Sequence, residues 1–230
     1  MTSAADVLAE LRRSANPANV AGMARFGIRP QTEVLGGPNV PGLRAMAKRL
    51  GRDQALARGL WVSGVHEARL LATMVADPGR FPRRTADRWA RSLDSWDVCD
   101  QFCGNLVDRT PYAYEAAATW AGRRQEFVKR AGFALMAELA VHDKQAPDDR
   151  FLAFIPLIER HAMDQRNFVR KAVNWALREI GKRNGRLHGA ALEAADRIKG
   201  GPRGGRWVGS DALHELMSDA VRARIAKRRD

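Results

Sequence analysis

Cysteine, long apolar runs and strand-like patterns are all scarce in this sequence of 230 residues. It has only two cysteines, Cys99 and Cys103, which we interpret as small buried residues rather than as a disulfide framework. The chain offers few further ligands for a metal beside them, so neither a metal nor a cofactor is expected. No apolar run approaches the ~18 residues of a membrane span, and residues 1–12 lack the apolar core of a signal peptide. We therefore expect a cytoplasmic protein with no membrane partner.

Alternating runs of β-branched residues are also missing, whereas apolar residues recur with the period of a helix. Residues 66–75, for example, place Leu70, Leu71 and Met74 on one face. Clusters of glycine and proline divide such segments into helices of ~10 to 18 residues. The pattern predicts an all-α fold, with a glycine-rich loop at 200–206 before a last helix over 211–227.

Two of the helical segments resemble each other. V-K-R-A-G-F-A-L at 128–135 and V-R-K-A-V-N-W-A-L at 169–177 are offset by 41 residues, and a weaker copy lies at 67–72. A period of ~40 residues is typical of HEAT-like solenoids of paired helices, although chance similarity among amphipathic helices would give the same echo. We predict one HEAT-like repeat domain over residues 1–230, with the recurring basic pairs on its concave face.

Positive charge is the first functional clue. The 39 lysines and arginines exceed the 26 acidic residues and give a net charge of +13. Such a field attracts polyanions, and arginine suits phosphate in particular. An arginine-rich solvated surface would have the same composition, so charge alone leaves nucleic-acid binding open.

Trp96 and Asp100 are the first candidates for chemistry. They are four residues apart and share one helix face, after Ser95 or Asp94 as the helix cap. An alternative is a core tryptophan beside a salt-bridged aspartate. We interpret His66 as a hydrogen-bonded structural residue. Three further tryptophans are interpreted as packing residues: Trp61, Trp89 and Trp120.

Four blocks together resemble the AlkD-like DNA alkylation repair family in order and spacing. They are W-V-S-G-V-H-E-A-R-L-L-A-T-M at 61–74, S-W-D-V-C-D at 95–100, F-V-K-R-A at 127–131 and F-V-R-K-A-V-N-W-A-L-R-E at 168–179. The resemblance covers most of the chain, from about residue 27 to residue 182, and the last block is the most specific. Residues after Gly200 contribute little.

The resemblance implies HEAT-like repeats and removal of cationic N3- and N7-alkylpurines from double-stranded DNA by a monomer. It also implies that the protein contacts sugar and phosphate without a pocket for the base. The implied catalytic residues are Asp100 as the carboxylate, with Trp96 and Trp175 packed against the lesion's deoxyribose. The implied or neighbouring DNA-binding residues are Arg130, Arg178, Lys129, Arg170, Lys171 and Arg69.

Two other functions use the same scaffold. A non-catalytic relative would bind branched or damaged DNA, keep the basic stripe and not need Asp100. A protein–protein scaffold would have an acidic or apolar concave face instead. If the protein binds DNA, it is expected to associate with the nucleoid while bound.

Overall fold

A computed structural model describes residues 2–28 and 30–227 of the chain. Within these residues, fifteen α-helices and three short 3-10 helices account for the regular structure, and the one extended pairing is an isolated bridge between Glu33 and Val65. The all-α prediction is confirmed. The chain divides into two compact units, 1–111 and 112–230, and the single domain over 1–230 stays a prediction, as does the concave basic face.

Seven of the described helices form the N-terminal unit, and several begin where a side chain caps the first turn. The Asn16, Asn39 and Asp53 side chains each accept a hydrogen bond from a backbone N–H of the helix that follows. The helices are α1 (Ala4–Arg13), α2 (Pro17–Arg25), α3 (Val40–Leu50), α4 (Gln54–Val62), α5 (His66–Val75), α6 (Arg83–Arg91) and α7 (Trp96–Asn105), with 3-10 turns at Pro78–Arg80 and Val107–Arg109.

An aromatic cluster forms much of the core of this unit. The rings of Trp61 and Trp89 stack with centroids 4.0 Å apart, and Phe81 and Phe102 pack against them. Both tryptophans are buried, as predicted, and each such side chain contributes ~1.5–3 kcal/mol through removal of apolar surface from water. Cys99 and Cys103 are fully buried on α7, also as predicted.

The other eight described helices form the C-terminal unit. They are α8 (Ala113–Ala121), α9 (Glu126–His142), α10 (Asp148–Leu152), α11 (Ile155–His161), α12 (Asn167–Gly181), α13 (Gly185–Gly200), α14 (Arg206–Leu216) and α15 (Asp219–Ala226), with a 3-10 turn at Arg203–Gly205. The two clearer copies of the sequence echo lie in α9 and α12, which pack extensively on each other. Trp120 is buried on α8, as predicted.

The backbones of α8 and α9 approach closely at Gly132. A Cβ atom at this position would lie 2.3 Å from the backbone nitrogen of Ala121, so only glycine fits. This close packing buries α9 on nearly every side, which is why its apolar pattern is broader than that of a surface helix.

One predicted boundary is wrong. The sequence pattern predicts the last helix over 211–227, whereas the structure has α14 beginning at Arg206 and a separate α15 beginning after Ser218. The Ser218 hydroxyl accepts a hydrogen bond from the backbone N–H of Val221, which caps a new helix. None of the described helices has the length and apolar character needed to cross a membrane.

Candidate functional site

Helix α7 begins at Trp96 and carries both candidates for chemistry in the N-terminal unit. Trp96 and Asp100 are one turn apart and both are half-buried. The indole Nε1 of Trp96 donates a 3.1 Å hydrogen bond to the carbonyl oxygen of Phe26. The predicted geometry of an indole and a carboxylate on one stretch of helix is therefore present, with the indole edge fixed by the loop after α2.

Phe26 was not anticipated from the sequence. Its side chain is 74% exposed although its carbonyl is held by Trp96. It ends α2, and Gly27 follows with φ +76°, a conformation that favours glycine. An aromatic residue before a glycine at a helix end was the available signal, and by itself it does not indicate a partner 70 residues away.

Asp97 is held by two neighbouring side chains. His66, which is fully buried at the start of α5, lies with Nε2 2.8 Å from one Asp97 carboxylate oxygen, and the Ser95 hydroxyl donates to the other. Burial opposes ionisation of Asp97, but the hydrogen bonds from His66 and Ser95 outweigh it and hold the pKa below its usual value. Ser95 occupies the N-cap position without capping through its side chain, since its hydroxyl is used on Asp97. The prediction that His66 is hydrogen-bonded is confirmed.

Arg69 is tied to the segment that precedes α7. Its Nη1 donates to the carbonyl of Ser92 at 3.1 Å and lies 3.4 Å from an Asp94 carboxylate oxygen, and its guanidinium lies over the ring of Trp61. Asp94 also accepts a hydrogen bond from the backbone N–H of Gln31. Asp94 therefore pairs with other elements instead of capping α7, and the contact of Arg69 with DNA stays a prediction.

In the C-terminal unit, the start of α9 joins the start of α12. Arg130 is 6% exposed and donates from Nη1 to the carbonyl of Phe168 at 2.7 Å. The rings of Phe127 and Phe168 lie 5.6 Å apart beside this bond. The two basic pairs of the echo are thus brought onto adjoining helices, as the repeat predicted, but Arg130 is buried and helps to hold those helices together.

Lys129 faces an acidic neighbour. Its Nζ lies 3.3 Å from an Asp164 carboxylate oxygen and 3.4 Å from Nδ1 of His161. Arg166 pairs with the same carboxylate at 2.5 Å, and its hydrogen bonds hold the pKa of Asp164 at about 2. Burial and the positive charge of Lys129 lower the pKa of His161. The charge of Lys129 is therefore largely balanced within the unit.

Helix α12 carries the other four predicted residues. Arg170 places its guanidinium 5.1 Å from the ring centroid of Trp207, Lys171 is exposed, and Trp175 is half-buried one turn later. Arg178 forms an ion pair with Glu215 of α14.

Glu215 also accepts from Lys182 at 2.7 Å. Burial opposes its ionisation, but Lys182 and Arg178 outweigh that effect and hold the pKa of Glu215 below its usual value.

The predicted site residues thus divide between the two units. Trp96, Asp100 and Arg69 belong to the N-terminal unit, and the other six belong to the C-terminal unit. Among the residues that the structure describes, no group of three or more His, Cys, Asp or Glu side chains is arranged to hold a metal ion.

Comparison with known proteins gives the family. The model of the DNA alkylation repair enzyme family matches residues 7–216. A solved structure, described as a new family of proteins related to the HEAT-like repeat DNA glycosylases with affinity for branched DNA structures, aligns with a TM-score of 0.81 at 18% identity, over 97% of this chain and 96% of that one. Among curated proteins, none matches this chain. The HEAT-like fold is therefore confirmed, and the chain belongs to the DNA alkylation repair enzyme family.

Proposed function

We propose that the protein is a DNA glycosylase that hydrolyses the N-glycosidic bond of cationic N3- or N7-alkylpurines in duplex DNA. The observation that carries the proposal is the pair on α7, an indole and a carboxylate one turn apart, in a chain of a DNA alkylation repair family. The net charge of +13 suits a polyanionic partner.

The chemistry needs few groups. Alkylation at N3 or N7 makes the purine cationic, so the base departs as a neutral leaving group and needs no general acid. The sugar acquires oxocarbenium character as the bond breaks, as in other glycoside hydrolyses. Asp100 stabilises that positive charge and positions or deprotonates the attacking water. A fixed carboxylate directed at developing charge is the larger contribution.

The tryptophans act on the same charge. An indole face beside the oxocarbenium sugar contributes about 0.5–2 kcal/mol through cation–π attraction. We assign this role to Trp96 and Trp175. The hydrogen bond from Trp96 to the Phe26 carbonyl supports it, because a fixed indole loses little freedom when the substrate binds.

Phosphate contacts are assigned by exposure. Lys171 is exposed on α12 and is the strongest candidate of the predicted basic residues. Arg178 and Lys129 face Glu215 and Asp164, so a phosphate would compete with those carboxylates for them. Arg130 and Arg69 then serve chiefly to hold the helices that carry the site.

The test is release of methylated base from a duplex that carries N7-methylguanine, under single-turnover conditions. Asp100→Asn is expected to lower the rate about 100- to 1000-fold with DNA binding retained. The matched control is Asp149→Asn, an exposed aspartate on α10, which should leave the rate unchanged. Absence of release by the wild-type chain overturns the proposal.

A second function is favoured by one observation. The structural relative at TM-score 0.81 is described as having affinity for branched DNA. On that alternative the chain binds a four-way junction more tightly than a duplex, and Asp100→Asn changes nothing. Competition between junction and alkylated duplex for the wild-type chain, together with the release assay, separates the two functions.

A further inference from the structure

A cavity of about 450 Å³ lies inside the N-terminal unit, next to the start of α7. Its walls come from α2, the loop before α3, the start of α5 and Asp97 of α7. Asp97 directly follows Trp96, so the cavity adjoins the residues proposed to act on the sugar. Pockets for small molecules have ~300–1000 Å³, so this volume is enough for one bicyclic ring.

One polar atom at this cavity has no partner. The His66 ring lines the cavity and is fully buried, yet its Nδ1 makes no hydrogen bond. Its Nε2 is committed to Asp97 at 2.8 Å. In a neutral ring that donates from Nε2, Nδ1 carries a lone pair and accepts a hydrogen bond. A buried acceptor without a donor costs free energy, and a ligand with an N–H group would satisfy it.

Two carboxylates give the cavity a charge opposite to that of the chain. Asp97 and Glu67 both line it, although the chain carries +13 in all. The Glu67 oxygens accept from the backbone N–H groups of Leu35 and Gly36 at 3.0 and 2.7 Å, which fixes the loop that forms one wall. Negative lining in a basic protein favours a ligand that is cationic or rich in N–H donors.

The remaining walls are apolar. They include Met23, Ile28, Val40 and Leu70. Thioether and aliphatic side chains pack well on the faces of a planar aromatic ring. A planar ring with a positive charge and N–H groups at its edge matches these walls, the two carboxylates and the unpaired Nδ1 together.

We infer that this cavity is a binding site for one N-alkylated purine ring, with His66 Nδ1 and the carboxylates of Asp97 and Glu67 facing its polar edge. The inference rests on the proposed function and goes beyond it, since the family resemblance implies contacts to sugar and phosphate only. The ring has two sources, the cationic base still attached to DNA and the neutral base after release. The negative lining favours the attached cation.

The first arm measures binding of the ring alone to the full chain by calorimetry, at pH 6. The cationic probe is 7,9-dimethylguaninium, and 7-methylguanine represents the released base. We expect the cation to bind about tenfold more tightly than the neutral base. Binding should also shift the NMR resonances of the His66 ring. If neither probe binds the wild-type chain, the inference is overturned.

Two valine variants locate the site. Val40→Trp fills the cavity from the first turn of α3, and Val62→Trp places the same side chain at a valine that is 79% exposed and outside the cavity. Val40→Trp should weaken binding of the cation at least about tenfold, and Val62→Trp should not. Equal binding by the two variants overturns the inference. If Val40→Trp fails to fold, Met23→Trp on α2 fills the same cavity.

The second arm uses single-turnover release from duplex that carries N7-methylguanine. Slower release by Val40→Trp than by Val62→Trp assigns the cavity to the attached base. Unchanged release, together with inhibition by 7-methylguanine in the wild type alone, assigns it to the released base. Probe binding without any release supports the cavity and overturns the glycosylase function, whereas release without probe binding does the reverse.

Discussion

The indole Nε1 of Trp96 donates to the carbonyl of Phe26, so the residue proposed to face the lesion's sugar also holds the loop after α2. The Phe26 ring itself is 74% exposed. Trp96 therefore has two roles that can be separated by experiment, because only the N–H group is needed for the loop whereas the ring is needed for the sugar.

Replacing Trp96 by phenylalanine keeps an aromatic face and removes this hydrogen bond. We expect the free energy of unfolding to fall by about 0.5–1.5 kcal/mol, and the amide of Ile28 to exchange faster with solvent. Chemical denaturation and hydrogen exchange measure the two effects. Trp207→Phe, at a tryptophan that is 40% exposed in the other unit, is the control and should leave exchange at Ile28 unchanged. Identical exchange in both variants would contradict the loop-holding role.

Gly132 gives a test of the packing of α8 on α9. Gly132→Ala forces a Cβ to within 2.3 Å of the Ala121 backbone nitrogen, so the helices must separate. We expect a loss of about 1–3 kcal/mol in unfolding free energy. A Cβ added at Gly189 on α13 would meet no atom within 4 Å, so Gly189→Ala should instead stabilise by about 0.5–1 kcal/mol through helix propensity. Urea unfolding of both variants should give opposite signs.

Acid stability tests the Asp164 cluster. The pKa of Asp164 is about 2 in the folded chain against an ordinary value of 3.8, because Arg166 and Lys129 favour the carboxylate. A depressed folded pKa stabilises the fold at pH values above 3.8, and this contribution is lost as the pH falls toward 2. The wild type should therefore lose its advantage over Asp164→Asn across that range. A stability difference that does not change with pH in urea titrations would refute the linkage.

Local features were predictable from the sequence because they depend on neighbouring residues. The helical period at 66–75 agrees with the bounds of α5, and the tryptophans interpreted as packing residues are buried. The echo at 128–135 and 169–177 anticipated two helices that pack on each other. These patterns express burial, which apolar residues at helical spacing report directly.

The partners of the polar residues could not be predicted, because each pair joins distant segments. His66 and Asp97 are 31 residues apart, and Arg178 and Glu215 are 37 apart. No local pattern distinguishes a lysine that faces DNA from one that faces an aspartate, as Lys129 faces Asp164. The split between α14 and α15 was missed since Ser218 is a common residue whose capping role depends on its backbone conformation.

Glu215 is expected to restrain DNA binding. It pairs with Arg178 and Lys182, so a phosphate must displace its carboxylate to reach either cation. Glu215→Gln should tighten DNA binding and steepen the salt dependence by about 0.9 for each additional phosphate that the protein neutralises. The cost to stability should stay within about 1 kcal/mol, as for other partly exposed ion pairs.

The control for this prediction is Glu159→Gln. Glu159 pairs with the exposed Arg197, which is outside the predicted site, so its removal exposes a similar charge elsewhere. Affinity for a duplex is measured for both variants by fluorescence anisotropy over a range of salt concentrations. A larger increase in affinity for Glu215→Gln assigns Arg178 or Lys182 to the DNA contact. Equal increases would mean that only net charge matters and that Arg178 has no particular role.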